Sequence, residues 1–165
     1  MPMRALALLA VCAALVGCGP SQATIEANKK AADAFMATNA KAPGVVTLPS
    51  GLQYKVVRSG PASGDHPKVA DEVKIHYEGK LAIGEKIFDS SYERGAPAVY
   101  PLAGLIPAWV EAVPLMRPGD EWILYVPPSL GYGEEGAGSD IPPNSALIFR
   151  IELLGILAHP AIGVG

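Results

Sequence analysis

The chain has 165 residues, half of them hydrophobic and 18% charged, with a net charge of −3. This length suits one domain of ordinary size plus an appendage, and this apolar content excludes wholesale disorder. A slightly acidic chain without a long basic run is also not built to hold nucleic acid.

Residues 1–17 read as a targeting segment outside the fold. Arg4 supplies a positive start, and Ala5 to Gly17 is a 13-residue apolar run. A spanning helix needs ~20 such residues, so the run fits a signal-peptide core. It ends in Leu15-Val16-Gly17-Cys18, which resembles a bacterial lipobox, where the cysteine is acylated and begins the mature chain. An ordinary secretory signal, or an uncleaved anchor with an incidental cysteine, is the alternative. Cys12 lies inside the apolar run, so a chain beginning at Cys18 has no disulfide to support its fold.

Residues 18–49 form a tether. After a polar exit at Gly19 to Gln22, Thr24 is placed to cap a helix running to about Lys41. Ile25, Ala32, Phe35 and Met36 fall near one face, and Pro43-Gly44 ends it. A stripe this thin leaves three uses open: packing on the domain, pairing with a second copy, or spacing the domain from a membrane. The spacer is the favoured expectation, with dimerisation next.

The main domain spans residues 50–158. Leu52, Tyr54 and Val56 alternate with Gln53, Lys55 and Val57, as in a strand. In a second strand, Asp71 to Lys80, Val73, Ile75 and Tyr77 point one way and Lys74, His76 and Glu78 the other. Lys86 to Ser91 leads into a loop ending at Arg94-Gly95, and Ala98 to Tyr100 is a short strand. Leu105 to Val113 is the one internal helix, with Pro107 in its first turn and Ile106, Trp109, Val110 and Val113 at helical spacing. Asp120 to Val126 is another strand, stopped by Pro127-Pro128. Gly131, Gly133, Gly136 and Gly138 then make a flexible loop with a stiff exit at Pro142-Pro143. Ala146 to Leu154 is the last strand, with Leu147, Phe149, Ile151 and Leu153 on one face. Residues 159–165 are a tail.

The expected fold is α+β: a five- to six-stranded antiparallel sheet wrapped around one short helix, with a short N-terminal helix. Turns and loops, rather than helical crossovers, make the connections. So short a helix must pack on the sheet, which puts Trp109 in the concavity.

Several chemistries are excluded. Gly131-Tyr-Gly133-Glu-Glu-Gly136 matches a dinucleotide fingerprint in letters, but no helix follows it to hold pyrophosphate, and Glu134 and Glu135 repel phosphate. His66, His76 and His159 are scattered, so neither a metal nor another cofactor is expected. No nucleophile elbow is present. The aromatic residues would serve as core in most domains. Phe88, Asp89, Tyr132 and Ile141, however, stand at strand ends and in Gly/Pro loops, where binding residues concentrate. Apolar walls with one hydroxyl suit a small binding pocket.

His76-Tyr77-Glu78-Gly79, Phe88-Asp89-Ser90-Ser91, Leu105-Ile106 with Trp109, Arg117-Pro118-Gly119, Gly131-Tyr132-Gly133 and Ile141-Pro142-Pro143 through Phe149 together resemble the FKBP-type peptidyl-prolyl isomerases. Pro43-Gly44-Val45 and Leu48 to Tyr54 resemble the bacterial macrophage infectivity potentiator group within it. The resemblance implies rotation of X-Pro amide bonds without a cofactor, with Asp89, Tyr132 and Ile106 in catalytic roles. It implies a substrate pocket of Tyr77, Phe88, Arg94, Leu105, Trp109, Ile141 and Phe149, and macrolides as an inhibitor class. Ala98, Ala137 and Asp140 depart from the family pattern and make the rim smaller and more acidic. The expected partners are X-Pro segments of unfolded envelope proteins and, through Cys18, a bacterial membrane facing the periplasm, with the outer membrane preferred. A monomer or weak dimer is expected. A module that holds proline-containing segments without turnover is the rival reading, and an inert envelope spacer is the third.

Overall fold

The fold is given by a computed structural model that describes residues 19–157. The segment expected to be a signal peptide, Cys18 and residues 158–165 lie outside the described residues. No described helix is long and apolar enough to cross a membrane.

Seven strands form one antiparallel sheet: β1 Val45–Thr47, β2 Gln53–Arg58, β3 Glu72–Leu81, β4 Ile87–Ser90, β5 Ala98–Pro101, β6 Glu121–Val126 and β7 Leu147–Leu157. The spatial order is β1-β2-β6-β7-β3-β4, and β5 shares the outer edge of β3 with β4. β3 and β7 pair along their whole length, from Glu72 opposite Leu157 to Leu81 opposite Leu147. β1 exceeds the expected strand count because three residues are too few to show alternation.

The alternating faces fall as the residue pattern dictates. Val73, Ile75 and Tyr77 of β3, Trp122, Leu124 and Val126 of β6, and the Leu147-Phe149-Ile151-Leu153 row of β7 are all buried on the concave side. The helix α2, Pro107–Ala112, crosses this concavity and buries Ala108, Trp109 and Ala112. Ile106 is its N-cap and Pro107 its first residue, where a fixed φ and a missing N–H cost nothing. On the convex side Glu121, 7% exposed, is neutralised by Arg150 at 2.6 Å and Arg58 at 3.6 Å.

The first helix, α1, spans Gln22–Asn39, and its cap is Ser21 rather than Thr24. Ser21 Oγ accepts from the Thr24 N–H at 3.2 Å, so Thr24 sits one turn inside. The helix is docked, not a free spacer. Asn28 Nδ2 donates to the Pro143 carbonyl at 2.9 Å, and Gln53 Nε2 donates to the Met36 carbonyl at 2.9 Å. Ala32 is 1% exposed and Phe35 leans on Tyr125 at 6.2 Å between ring centroids. These polar clamps compensate for the thin apolar stripe.

Candidate active site

Between α2 and the open end of the sheet lies a cavity of about 110 Å³, lined by Tyr77, Tyr100, Leu105, Ile106, Trp109, Tyr132 and Phe149. An apolar cavity of ~150 Å³ holds a benzene ring, so this one suits a five-membered ring. Trp109 forms the floor. Tyr77 and Phe149 meet it edge to face, each at 5.3 Å between centroids and at 82° and 89°. The Trp109 indole N–H has no hydrogen-bond partner among the described residues.

The outer edge of β3 explains how Tyr77 is held. β5 pairs with β3 up to Ile75, and β4 takes over at Glu78. Tyr77 falls in the gap. Ser91, fully buried, fills that gap: its N–H donates to the Tyr77 carbonyl at 2.9 Å, and its Oγ accepts the Tyr77 N–H at 2.7 Å. On the convex face Ser91 Oγ also meets His76 Nδ1 at 2.9 Å, and the His76 ring stacks on Tyr92.

The Tyr77 hydroxyl enters a charged cluster. It donates to Asp89, accepts from Arg94 Nη2 at 2.9 Å, and lies 3.1 Å from the Tyr100 hydroxyl. Arg94 also pairs with Asp89. Burial alone would raise the Asp89 carboxyl, but the Tyr77 hydroxyl and the Arg94 guanidinium outweigh it and hold it below its ordinary value. Asp89 is therefore a carboxylate at neutral pH. Burial and then the Asp89 hydrogen bond push the Tyr77 phenol up, so it stays protonated.

Tyr132 also lines the cup and is 38% exposed. Burial and the nearby Asp89 charge raise its phenol, so it too remains a donor. Its loop is more ordered than its glycines suggest. Ala137 and Ile141 exchange backbone hydrogen bonds at 2.8 and 3.1 Å, and the Asn144 N–H donates to the Gly133 carbonyl at 2.8 Å. The Ile106 N–H meets no backbone acceptor among the described residues and is free for a ligand.

Six of the sequence-derived residues thus share the cup wall: Tyr77, Leu105, Ile106, Trp109, Tyr132 and Phe149. The other four stand behind it or at its rim. Phe88 packs edge to face on Phe149 at 5.7 Å. Asp89 and Arg94 hold Tyr77. Ile141, 5% exposed, belongs to the core cluster under the loop. Tyr100 is the cup residue that sequence reasoning placed only in a strand. Its signal was alternation: Ala98 and Tyr100 face one way and Val99 the other. The acidic rim residue Asp140 is paired with Lys86 at 2.7 Å.

Fold and site together define a small α+β domain with an open apolar cavity between a short helix and the hollow of a curled sheet. The family model described as FKBP-type peptidyl-prolyl cis-trans isomerase matches residues 64–154, and the model for the domain amino terminal to it matches residues 19–56. The chain belongs to the FKBP-type peptidyl-prolyl isomerase family. It is 49% identical over 129 residues to the peptidyl-prolyl cis-trans isomerase Mip of Coxiella burnetii, covering 78% of this chain and 55% of that protein. It is 49% identical over 123 residues to the FKBP-type 22 kDa isomerase of Escherichia coli, covering 74% and 58%. A crystal structure of a peptidyl-prolyl isomerase from Pseudomonas syringae superposes with a TM-score of 0.76 at 35% identity, covering 84% of this chain and 99% of that one. The chain spans a little over half the length of the first two relatives.

Proposed function

We propose that the protein is a peptidyl-prolyl cis-trans isomerase acting on X-Pro segments of proteins in the bacterial envelope. One arrangement carries the reading: an apolar cup of proline-ring size, floored by Trp109 and lined by Tyr132 and Ile106, which bring a hydroxyl and an unpaired N–H as donors. Proline's ring rests on the indole. The two donors take substrate carbonyls. Asp89, with Tyr77 and Arg94, fixes the far wall, while Phe88, Leu105, Ile141 and Phe149 keep the site dry.

The chemistry follows from amide resonance. Rotation about the X-Pro bond is opposed by ~18–20 kcal/mol because the planar amide is stabilised by charge separation. The twisted amide has its nitrogen lone pair localised and a less polar C–N bond, so an apolar cup favours it over the planar form. A donor such as Tyr132 that meets the rotated carbonyl stabilises it further. Lowering the barrier by ~5.4 kcal/mol gives roughly a 10⁴-fold acceleration.

The N-terminus supports an envelope address. Residues 1–17 are the signal peptide, Cys18 is acylated and residues 18–49 tether the domain, which faces the periplasm from the outer membrane as a monomer or weak dimer. A 43% identical relative from Legionella longbeachae is named outer membrane protein MIP. Loss of fatty-acid labelling in Cys18→Ser tests the anchor, and persistent labelling overturns it.

The enzyme reading is tested by a proline-limited refolding reaction. The wild-type chain is expected to accelerate the slow phase, and Phe88→Ala or Tyr132→Phe to reduce the effect. A wild type that suppresses aggregation yet leaves that phase unchanged would establish the holding module instead.

A further inference from the structure

The backbone around Tyr132 is held by peptide groups gripped at both ends. The group joining Tyr132 to Gly133 accepts the Gly136 N–H at 3.1 Å and gives its own N–H to the Pro128 carbonyl at 2.9 Å. The Gly133 carbonyl accepts the Asn144 N–H at 2.8 Å. That N–H shares a peptide group with the Pro143 carbonyl, which takes Asn28 Nδ2 of α1 at 2.9 Å. A peptide group is planar, and in the trans form its carbonyl and N–H point opposite ways. The group joining Pro143 to Asn144 is therefore a rigid strut, with α1 at one end and the residue after Tyr132 at the other.

Asn28 supplies the one side chain in this relay, and every other link is backbone. It is half-buried on α1 and takes no part in the cup wall. Asn144 returns a second, longer bond, from Nδ2 to the Ile25 carbonyl at 3.4 Å. Its φ of +55° lies in the left-handed region, which asparagine tolerates better than most side chains. Packing does little of the holding. One cleft of about 280 Å³ is bordered by Lys29, Asp33, Pro128 and Gly133, and another of about 130 Å³ by Ala31, Leu81 and Pro142. Asn144 borders both, so open space adjoins the clamp where α1 meets this segment.

We propose that Asn28 is a positioning residue for Tyr132. By holding the strut against Gly133, the helix that precedes the domain sets the reach of the Tyr132 hydroxyl into the cup. α1 is then part of the working site as well as a tether. This rests on the isomerase reading for the use made of Tyr132. Trp109 and its edge-to-face partners lie outside the relay and stay in place without it.

The test is a cycle on the full chain with an Ala-Pro peptide. At neutral pH Asn28→Asp keeps the shape of the side chain and loses its donor, and Asn28→Ala removes both. Each is made in the wild type and in Tyr132→Phe. Interconversion is read by NMR exchange, peptide Kd by calorimetry, and protection of the Asn144 amide by hydrogen exchange. In the wild type either substitution is expected to lower kcat/KM by ~2–10-fold, the range of one hydrogen bond, and to speed exchange of the Asn144 amide. In Tyr132→Phe the same substitutions should change kcat/KM by less than about twofold, because the hydroxyl they position is already gone. An equal loss in both backgrounds marks a general structural effect and overturns the assignment. So does an unchanged rate in the wild type, or an Asn144 amide as protected in Asn28→Asp as before. If the wild type binds the peptide without accelerating it, the isomerase reading fails while the same cycle in Kd decides the role of Asn28. A wild type that does not bind the peptide overturns both.

Discussion

Tyr77→Phe removes one oxygen and leaves the ring that flanks Trp109. The lost hydroxyl served Asp89, Arg94 and Tyr100 at once. Hydrogen bonds to charged groups contribute ~1.5–3 kcal/mol each in favourable settings. Here the Asp89 and Arg94 side chains are 41% and 48% exposed, so water and the surviving ion pair recover much of that. A net destabilisation of about 1–2 kcal/mol follows, which lowers the melting temperature by ~3–8 °C for a domain of this size. The effect depends on pH with a definite sign. The native Asp89 carboxyl titrates below its ordinary value of 3.8, so its stabilising contribution is complete above that value and fades as the pH falls through the lower native one. Phenylalanine removes one of the groups that depress Asp89. The gap between wild type and variant is therefore full at neutral pH and narrows in acid. Thermal melts from about pH 7 down to about pH 2.5 check this. A gap that stays constant over that range, or a shift under ~1 °C at neutral pH, would refute the reasoning.

Gly79→Ala places a Cβ 2.7 Å from the edges of both Phe88 and Phe149. Overpacking there is expected to cost ~1–3 kcal/mol and to weaken peptide binding, as melts and calorimetry would show. Ser91→Ala strips the Tyr77 N–H of its partner in a buried gap and is expected to cost ~1–3 kcal/mol in a denaturant titration. Gly136 has φ +69° and its Cβ would strike the Ile141 carbonyl, so Gly136→Ala is expected to displace the Tyr132 loop and lower kcat/KM more than it lowers the melting temperature. Asn28→Ala removes the donor to Pro143 and is expected to speed hydrogen exchange in α1 while the Trp109 cup stays intact.

Local periodicity made much of this fold legible. A side-chain period of two shows which residues of β3, β6 and β7 face inward, and that alone brings Tyr77 and Phe149 to one side. Pro107 and the spacing of Trp109 give α2, whose shortness forces it onto the sheet. What escaped was non-local. Tyr100 reaches the cup because β5 and β4 divide one edge of β3, and no single stretch of sequence contains that division. The docking of α1 was hidden for a related reason. Asn28 is held by a carbonyl 115 positions away, and an amide clamp adds nothing to the thin apolar stripe that the sequence shows. The glycine loop illustrates the opposite error. Its composition suggests freedom, but the paired Ala137 and Ile141 amides close it into a defined turn. The acidity of Asp140 was visible, and its neutralisation by Lys86 from the turn between β3 and β4 was not.

The most direct test is NMR exchange on a short X-Pro peptide mixed with a small fraction of the protein. Uncatalysed interconversion takes tens to hundreds of seconds. With the wild-type chain, cis and trans signals should exchange within about a second, and replacing Trp109 by leucine should abolish the effect while leaving the chain folded. Peptide signals that shift on binding yet exchange no faster than in free solution would contradict the claim that this cup eases the amide through its twist.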